Sequence, residues 1–119
     1  MFRRFVSAVV VAAALAVPSM ALAGNTAGPS IRTTTVGAHQ TDVYAVTLRG
    51  GEAVSVLVKG DGDTDLDCFL RDENGNVVAR DVDSTDTCLL TMTPRWTGAF
   101  RIEVRNNGGV YNRYTIRTN

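Results

Sequence analysis

Apolar and polar residues alternate with a period of two through most of the chain after residue 40. The clearest example is the stretch 100–105, which reads Phe-Arg-Ile-Glu-Val-Arg. Such a period places one face of a β-strand in a core and the other in water. Turn-forming residues separate these stretches, and none of them keeps a helical period. The sequence therefore predicts an all-β fold, an antiparallel two-sheet sandwich of about seven to eight strands.

The first 23 residues have the three-part pattern of a cleavable signal peptide. Arg3 and Arg4 form a positive start, an apolar run follows, and Ala21-Leu22-Ala23 offers small residues where a signal peptidase cuts. The apolar run is about a dozen residues, shorter than the roughly 20 that a transmembrane helix needs. We therefore expect no membrane span and a secreted or periplasmic protein.

The chain after the cleavage point is large enough for one domain. Ten basic and twelve acidic residues remain in it, which argues against a nucleic-acid partner, because phosphate contacts need a basic surplus. We expect residues 24–37 to form a flexible leader or an edge strand. Residues 38–119 are expected to form the sandwich domain.

Two cysteines, Cys68 and Cys88, lie in this part of the chain. An even number of cysteines in an exported chain favours a disulfide. The alternative, a redox or metal-binding thiol pair, fits less well, because the spacing is too long for a Cys-x-x-Cys motif and no histidine cluster accompanies it. Each cysteine falls on the apolar phase of its predicted strand, so the disulfide should be buried.

The densest polar feature is the segment 61–67, which reads Asp-Gly-Asp-Thr-Asp-Leu-Asp. Crowded carboxylates repel one another, and Ca²⁺ relieves that repulsion by taking oxygen ligands. The sequence therefore predicts a calcium site; its ligands are Asp63, Asp65 and Asp67, helped by Asp81 or Asp83. The alternative is a solvated acidic turn whose carboxylates accept hydrogen bonds from nearby backbone amides.

Catalytic patterns are nearly absent from the sequence. His39 is the only histidine, and no serine lies in a Gly-x-Ser-x-Gly elbow. We therefore expect a protein that is not an enzyme. Trp96 and Tyr111 are candidates for stacking on sugar rings, although a single tryptophan in a small sandwich more often packs in the core or at a sheet end.

An ordered set of short motifs resembles the bacterial pre-peptidase C-terminal domain over residues 39–118. The motifs are Tyr44-x-Val46, Gly51-Glu52, Asp63-Thr64-Asp65-Leu66-Asp67, Asp72-Glu73-Asn74-Gly75, Pro94-x-x-x-Gly98-x-Phe100, Val104-x-Asn106 and Asn112-x-Tyr114. The resemblance implies a jelly-roll β-sandwich of the kind usually appended to secreted proteases. Some members of that family hold calcium with acidic residues of this region, which Asp65 and Asp67 match. The cysteine pair is not a hallmark of the family.

Together these features predict an exported, non-catalytic binding or accessory module that contacts protein or glycan surfaces and is stabilised by calcium. Two alternatives stay open. One is a structural or stabilising protein of the cell envelope without a small ligand, and the other is a domain associated with a secreted peptidase.

The exported protein should begin at Gly24, because Ala21-Leu22-Ala23 is the small-x-small site that follows the apolar run. N-terminal sequencing of the protein from the culture medium or periplasm checks this. The variant Ala23→Phe should accumulate as the longer precursor, whereas Ala27→Phe should be processed normally. Exported protein that still starts with Met1 would contradict the prediction.

Overall fold

The computed structural model describes residues 24–119, so the predicted signal peptide lies outside the described residues. Within this range the chain forms eight β-strands and no α-helix, and hence no helix suited to crossing a membrane. The strands are β1 (Ser30–Val36), β2 (Thr41–Leu48), β3 (Val54–Lys59), β4 (Leu66–Arg71), β5 (Val77–Asp81), β6 (Thr87–Met92), β7 (Gly98–Asn106) and β8 (Asn112–Thr118).

The strands form two four-stranded sheets. The first sheet has the order β1-β8-β3-β6, and the second has the order β2-β7-β4-β5. All neighbouring strands are antiparallel. Strands from the two halves of the chain interleave in each sheet, which is the arrangement of a jelly roll. The predicted antiparallel two-sheet sandwich is confirmed.

One face of each sheet supplies the core, as the period of two predicts. In β3 the three valines are buried, while the residues between them point outward and are partly exposed. The same alternation appears in β4, β6, β7 and β8. A fully buried aliphatic or aromatic side chain contributes about 1.5–3 kcal/mol, so the two apolar faces hold the sheets together. The core consists of Val36, Leu48, Val54, Val56, Val58, Leu66, Cys68, Leu70, Cys88, Leu90, Phe100, Ile102, Val104, Tyr114 and Ile116.

The segment 24–37 contains β1, an edge strand of the first sheet that pairs along its whole length with β8. The residues before it are attached to both sheets. The side chain of Asn25 donates to Thr118 Oγ1 of β8 at 3.3 Å, and the backbone N–H of Thr26 donates to the carbonyl of Thr47 in β2 at 2.9 Å. Residues 24–29 therefore contact both sheets at one end of the sandwich.

Cys68 of β4 and Cys88 of β6 form a disulfide, with their Cα atoms 6.1 Å apart. Both residues are fully buried. Because β4 belongs to the second sheet and β6 to the first, the bond connects the two sheets through the core. The structure thus has the pairing that the apolar phase of the two cysteines predicts.

Removing the disulfide should destabilise the domain substantially. Closing a loop of this length, with the cysteines 20 residues apart, is worth about 3 kcal/mol in unfolded-state entropy. For a domain of this size, that loss corresponds to a fall of roughly 15 °C in melting temperature. Calorimetry of the variant Cys68→Ala/Cys88→Ala, compared with the wild-type domain of residues 24–119, measures it.

The native protein should also contain no free thiol. A thiol-reactive dye added to the folded, non-reduced protein should give no signal until the protein is reduced in denaturant. Two reactive thiols in the folded protein, or equal melting temperatures for variant and wild type, would show that the disulfide does not form.

Candidate functional site

Four loops meet at one end of the sandwich, which we call the loop end. They span residues 37–40, 60–65, 82–86 and 107–111. The antiparallel register brings them together, because β1, β3, β5 and β7 all run toward this end. Both groups of aspartates that the sequence predicts as calcium ligands lie in these loops or directly beside them.

Asp61 and Asp86 at the loop end accept hydrogen bonds from neighbouring loops. Asp61 accepts from the backbone N–H groups of Asp63 at 3.1 Å and Arg113 at 3.0 Å. The bond from Arg113, helped by the one from Asp63, holds the pKa of Asp61 below its ordinary value despite some desolvation. Asp86 accepts from the N–H of Gly62 and from the side-chain amide of Asn112. These carboxylates therefore stabilise the loops.

The carboxylates of Asp81 and Asp83 also accept hydrogen bonds. Asp83 accepts from the N–H and the hydroxyl of Thr85 at 2.9 and 2.7 Å, and these bonds lower its pKa. Asp81 Oδ2 accepts from the N–H of Leu89 at 2.9 Å. Because β5 and β6 are edge strands of different sheets, this bond joins the sheets and pairs an N–H that an edge strand would otherwise leave open.

Asp65 and Asp67 differ from the other aspartates. The Oδ1 atom of each is buried and has no hydrogen-bond partner among the described residues, whereas Asp65 Oδ2 accepts from the side-chain amide of Asn107 at 3.3 Å. The two residues flank Leu66 and so lie on the same side of the chain. A buried carboxylate oxygen without a donor is costly, so these two atoms are suited to a cation.

The five predicted calcium ligands do not come together as one set. Asp81 and Asp83 already accept hydrogen bonds, and Asp63 is exposed. In the part of the chain that the structure describes, no three aspartate, glutamate, histidine or cysteine side chains lie close enough to hold a metal ion. A calcium ion at Asp65 and Asp67 would need backbone, amide or water oxygens as its further ligands.

The two aromatic candidates for sugar stacking lie at opposite ends of the sandwich. Trp96 precedes β7 and Tyr111 follows it, so they cannot stack on one sugar together. Trp96 is 44% exposed, and its ring stacks on the buried ring of Phe100 with centroids 6.4 Å apart. Trp96 therefore covers the core at a sheet end, while Tyr111 is 61% exposed at the loop end.

A polar cluster that the sequence did not reveal joins the sheets on the side of β1 and β2. The buried hydroxyl of Tyr114 in β8 donates to Asp42 Oδ2 in β2 at 2.6 Å, and it is also hydrogen-bonded to the Tyr44 hydroxyl. Burial raises the pKa of Tyr114, and the bonds to Asp42 and Tyr44 raise it further. Burial likewise raises the pKa of Tyr44. Both phenols stay protonated at neutral pH and connect the sheets.

The outer face of the second sheet carries a second feature that sequence reasoning missed. Phe69 lies at its centre, with four arginines of three adjacent strands around it and Glu103 as its direct partner on β7. We call this surface the arginine face; its arginines are Arg71 of β4, Arg80 of β5, and Arg101 and Arg105 of β7. The alternation in residues 100–105 predicts that Arg101 and Arg105 point outward. The position of Phe69 between these two arginines and the arginines of β4 and β5 depends on the strand register.

No histidine-activated nucleophile is present among the described residues. His39 is exposed in loop 37–40 with a positive φ of 57°, and its side chain hydrogen-bonds to none of them. The hydroxyl of Ser30 is bonded to Thr118 at 2.8 Å, at the opposite end of β1 from His39. Among residues 24–119, His39 and Ser30 therefore do not form a catalytic pair.

No protein-family model matches the sequence, and no curated protein sequence matches it significantly. Solved structures do share the fold. The Yersinia pseudotuberculosis-derived mitogen superposes with a TM-score of 0.63 at 16% identity, covering 76% of this chain and 84% of its own. The pre-peptidase C-terminal domain of the Bacillus anthracis collagenase gives 0.60 at 16% identity, covering 82% and 91%.

A third similar structure is PliG of Aeromonas hydrophila, a periplasmic inhibitor of g-type lysozyme. It has a TM-score of 0.57 at 11% identity, covering 85% of this chain and 90% of its own. Identities this low show a shared fold and nothing finer. The resemblance found in the sequence motifs is confirmed at that level: the chain has the β-sandwich fold of a pre-peptidase C-terminal domain.

Proposed function

We propose that the protein is an exported, non-catalytic binding module that contacts a partner surface, protein or glycan, outside the cytoplasm. The observation that supports this most is the arginine face. Its arginines surround one aromatic ring, and three of them are exposed without a salt bridge to any described residue. Folding does not require such a surface, whereas recognition of a partner of opposite charge does.

The proteins of similar fold support an accessory role. By name, one is a domain of a collagenase, one is a mitogen and one is a lysozyme inhibitor. None of these names describes a catalytic domain. The buried disulfide supports the location, because such bonds persist in oxidising compartments, and the inhibitor of similar fold is itself periplasmic.

In this proposal Asp65 and Asp67 bind one Ca²⁺ through their unpartnered Oδ1 atoms. Calcium prefers oxygen ligands and accepts irregular sets of carboxylate, carbonyl and water oxygens. The bound ion would add positive charge beside two buried carboxylate oxygens. It would thereby fix the start of β4 against the loop that follows β7. Its role is structural, and no partner contact depends on it.

The exported protein should be retained by isolated cell envelopes of the organism that produces it. A sedimentation assay with purified protein and washed envelopes measures this, with a Cys-free β-sandwich of similar size as the control for trapping. Saturable retention is the expected result. Protein that stays entirely in the supernatant over a range of salt concentrations would favour the alternative, a stabilising protein without a surface partner.

Calcium should raise the melting temperature of the protein. An ion that binds only the folded state stabilises it by about 2.7 kcal/mol at a hundredfold excess over the dissociation constant, which is roughly 10 °C for a domain of this size. Calorimetry with millimolar calcium and with chelator measures the difference. The variant Asp65→Asn/Asp67→Asn should abolish it.

Asp83→Asn is the matched control, because the carboxylate of Asp83 already accepts two hydrogen bonds from Thr85. This variant should melt at a lower temperature but keep the full response to calcium. Coincident melts of the wild type with calcium and with chelator, together with no heat of binding, would remove calcium from the proposal and leave the acidic turn solvated.

A further inference from the structure

We infer that the arginine face binds an acidic polysaccharide and that Arg80 and Arg105 contact its carboxylate groups. The inference rests on the proposed function, because it names the partner class of the same binding surface. Three structural observations support it: the contact of two guanidinium groups with one aromatic ring, the absence of a salt bridge from Arg80 and Arg105 to any described carboxylate, and the position of all four arginines on the outer face of one sheet.

Two of the four arginines contact the same aromatic ring. The guanidinium carbon of Arg105 lies 5.2 Å from the centre of the Phe69 ring, and that of Arg71 lies 5.8 Å from it. Arg80 is the direct cross-strand neighbour of Phe69 on β5. Cation–π contacts hold a guanidinium over or beside a ring. Phe69 therefore positions two positive groups before any ligand arrives, which lowers the entropy lost on binding.

Arg71 differs from the other three arginines because its guanidinium group forms hydrogen bonds within the domain. Its Nε donates to Glu103 Oε1 at 3.0 Å, and its Nη1 donates to the carbonyl of Gly75 at 2.9 Å. Arg101 lies directly opposite Arg71 on the neighbouring strand, and like charges in that relation are destabilising. Arg101 also attracts the carboxylate of Asp72: despite desolvation, hydrogen bonds and this attraction hold the pKa of Asp72 below its ordinary value. Folding therefore offsets the repulsion while two positive groups stay side by side on the face.

Arg105 lies beside a carboxylate but forms no salt bridge with it. Its direct cross-strand partner on β4 is Asp67, and Asp67 Oδ1 has no hydrogen-bond partner. The guanidinium nevertheless lies against Phe69 and forms no salt bridge with any described carboxylate. Arg105 is therefore available to a ligand on the arginine face.

The shape of the surface favours a polymer over a small anion. The arginines project from the outside of a sheet, and a single exposed ion pair contributes little, so useful affinity needs several contacts at once. Neighbouring strands are about 4.8 Å apart, close to the length of one sugar residue in an extended chain. Carboxylates match the planar fork of a guanidinium. Arg80 of β5 and Arg105 of β7 lie two strands apart, about 9.6 Å, with Phe69 of β4 between them. A polyuronate crossing the strands can therefore meet these two arginines with carboxylates about two sugar residues apart.

Other polyanions fit the molecule less well. A nucleic-acid duplex presents a long array of phosphates, which would be repelled by the aspartates of the loop end. An extended acidic peptide is more readily bound by pairing with an open strand edge than on a sheet face. The arginine face is also confined to one side of a domain, residues 24–119, that carries twelve acidic and ten basic residues, so binding by overall charge does not explain it.

The test uses the full exported protein and sodium polygalacturonate as the probe. Affinity electrophoresis or calorimetry at low salt should detect binding that weakens as salt is added. The variant Arg80→Gln/Arg105→Gln should bind at least about tenfold more weakly, because two charge-assisted contacts are lost. Fully methyl-esterified polygalacturonate, which has the same backbone without the charges, should not bind.

The matched control is Arg113→Gln/Arg117→Gln, which removes two exposed arginines from the outer face of the first sheet. Its affinity for polygalacturonate should stay within about twofold of the wild type. Equal weakening in both variants would overturn the inference, since it would show attraction to overall charge. Equal binding of polyglutamate would also overturn it, by showing that the face does not select a polysaccharide.

The two proposals can fail separately. Absence of polygalacturonate binding, with envelope retention preserved, would reject the acidic polysaccharide and leave the binding module standing. Absence of both would reject both. Unchanged melting temperatures of the two arginine variants would show that each is folded when it is compared.

Discussion

The burial of one apolar face from each sheet is the interaction on which the rest of this structure depends. A domain of this length buries a modest core, so nearly every inward position must be apolar. Inward polar residues are placed at the margins and pair there. Asn106 donates to the carbonyls of Gly37 and Val110 at 3.1 and 2.8 Å, and Asn112 donates to Thr64 at 3.1 Å. The asparagines that end β7 and begin β8 thereby attach three loops to the core.

The same requirement explains the acidic residues of the loop end. Short loops between antiparallel strands leave backbone N–H groups without strand partners, and aspartate carboxylates accept from them. Asp61, Asp83 and Asp86 all do so. A run of aspartates therefore arises from loop construction even where no ion is bound. What this construction leaves unexplained is the pair of buried Oδ1 atoms on Asp65 and Asp67.

The alternation of apolar and polar residues predicted only those features of the fold that follow from short stretches of the sequence. The period of two sufficed for the two-sheet sandwich and for the inward phase of Cys68 and Cys88. The contacts of Tyr114 with Asp42 and Tyr44 connect residues about 70 positions apart, and no short-range signal reveals them. The separation of Trp96 from Tyr111 and the placement of Phe69 among arginines both require the strand register, which hydrophobic alternation alone does not determine.

The fold constrains the sequence least on the outward faces of the sheets. An excess of one sign of charge on such a face is therefore informative about function. A sandwich of this kind folds with any mixture of polar residues outside, and cross-strand pairs of opposite charge would stabilise it modestly. On the second sheet, Arg71 and Glu103 form such a pair diagonally. Arg101 instead faces Arg71, and Arg105 turns from Asp67 to the ring of Phe69. The repulsion at Arg101 is offset by its attraction to the Asp72 carboxylate, and the contact of Arg105 with Phe69 is itself favourable. Both positions are therefore compatible with folding, and the proposal of a partner rests on the outward guanidinium groups of Arg80 and Arg105, which form no salt bridge with a described carboxylate.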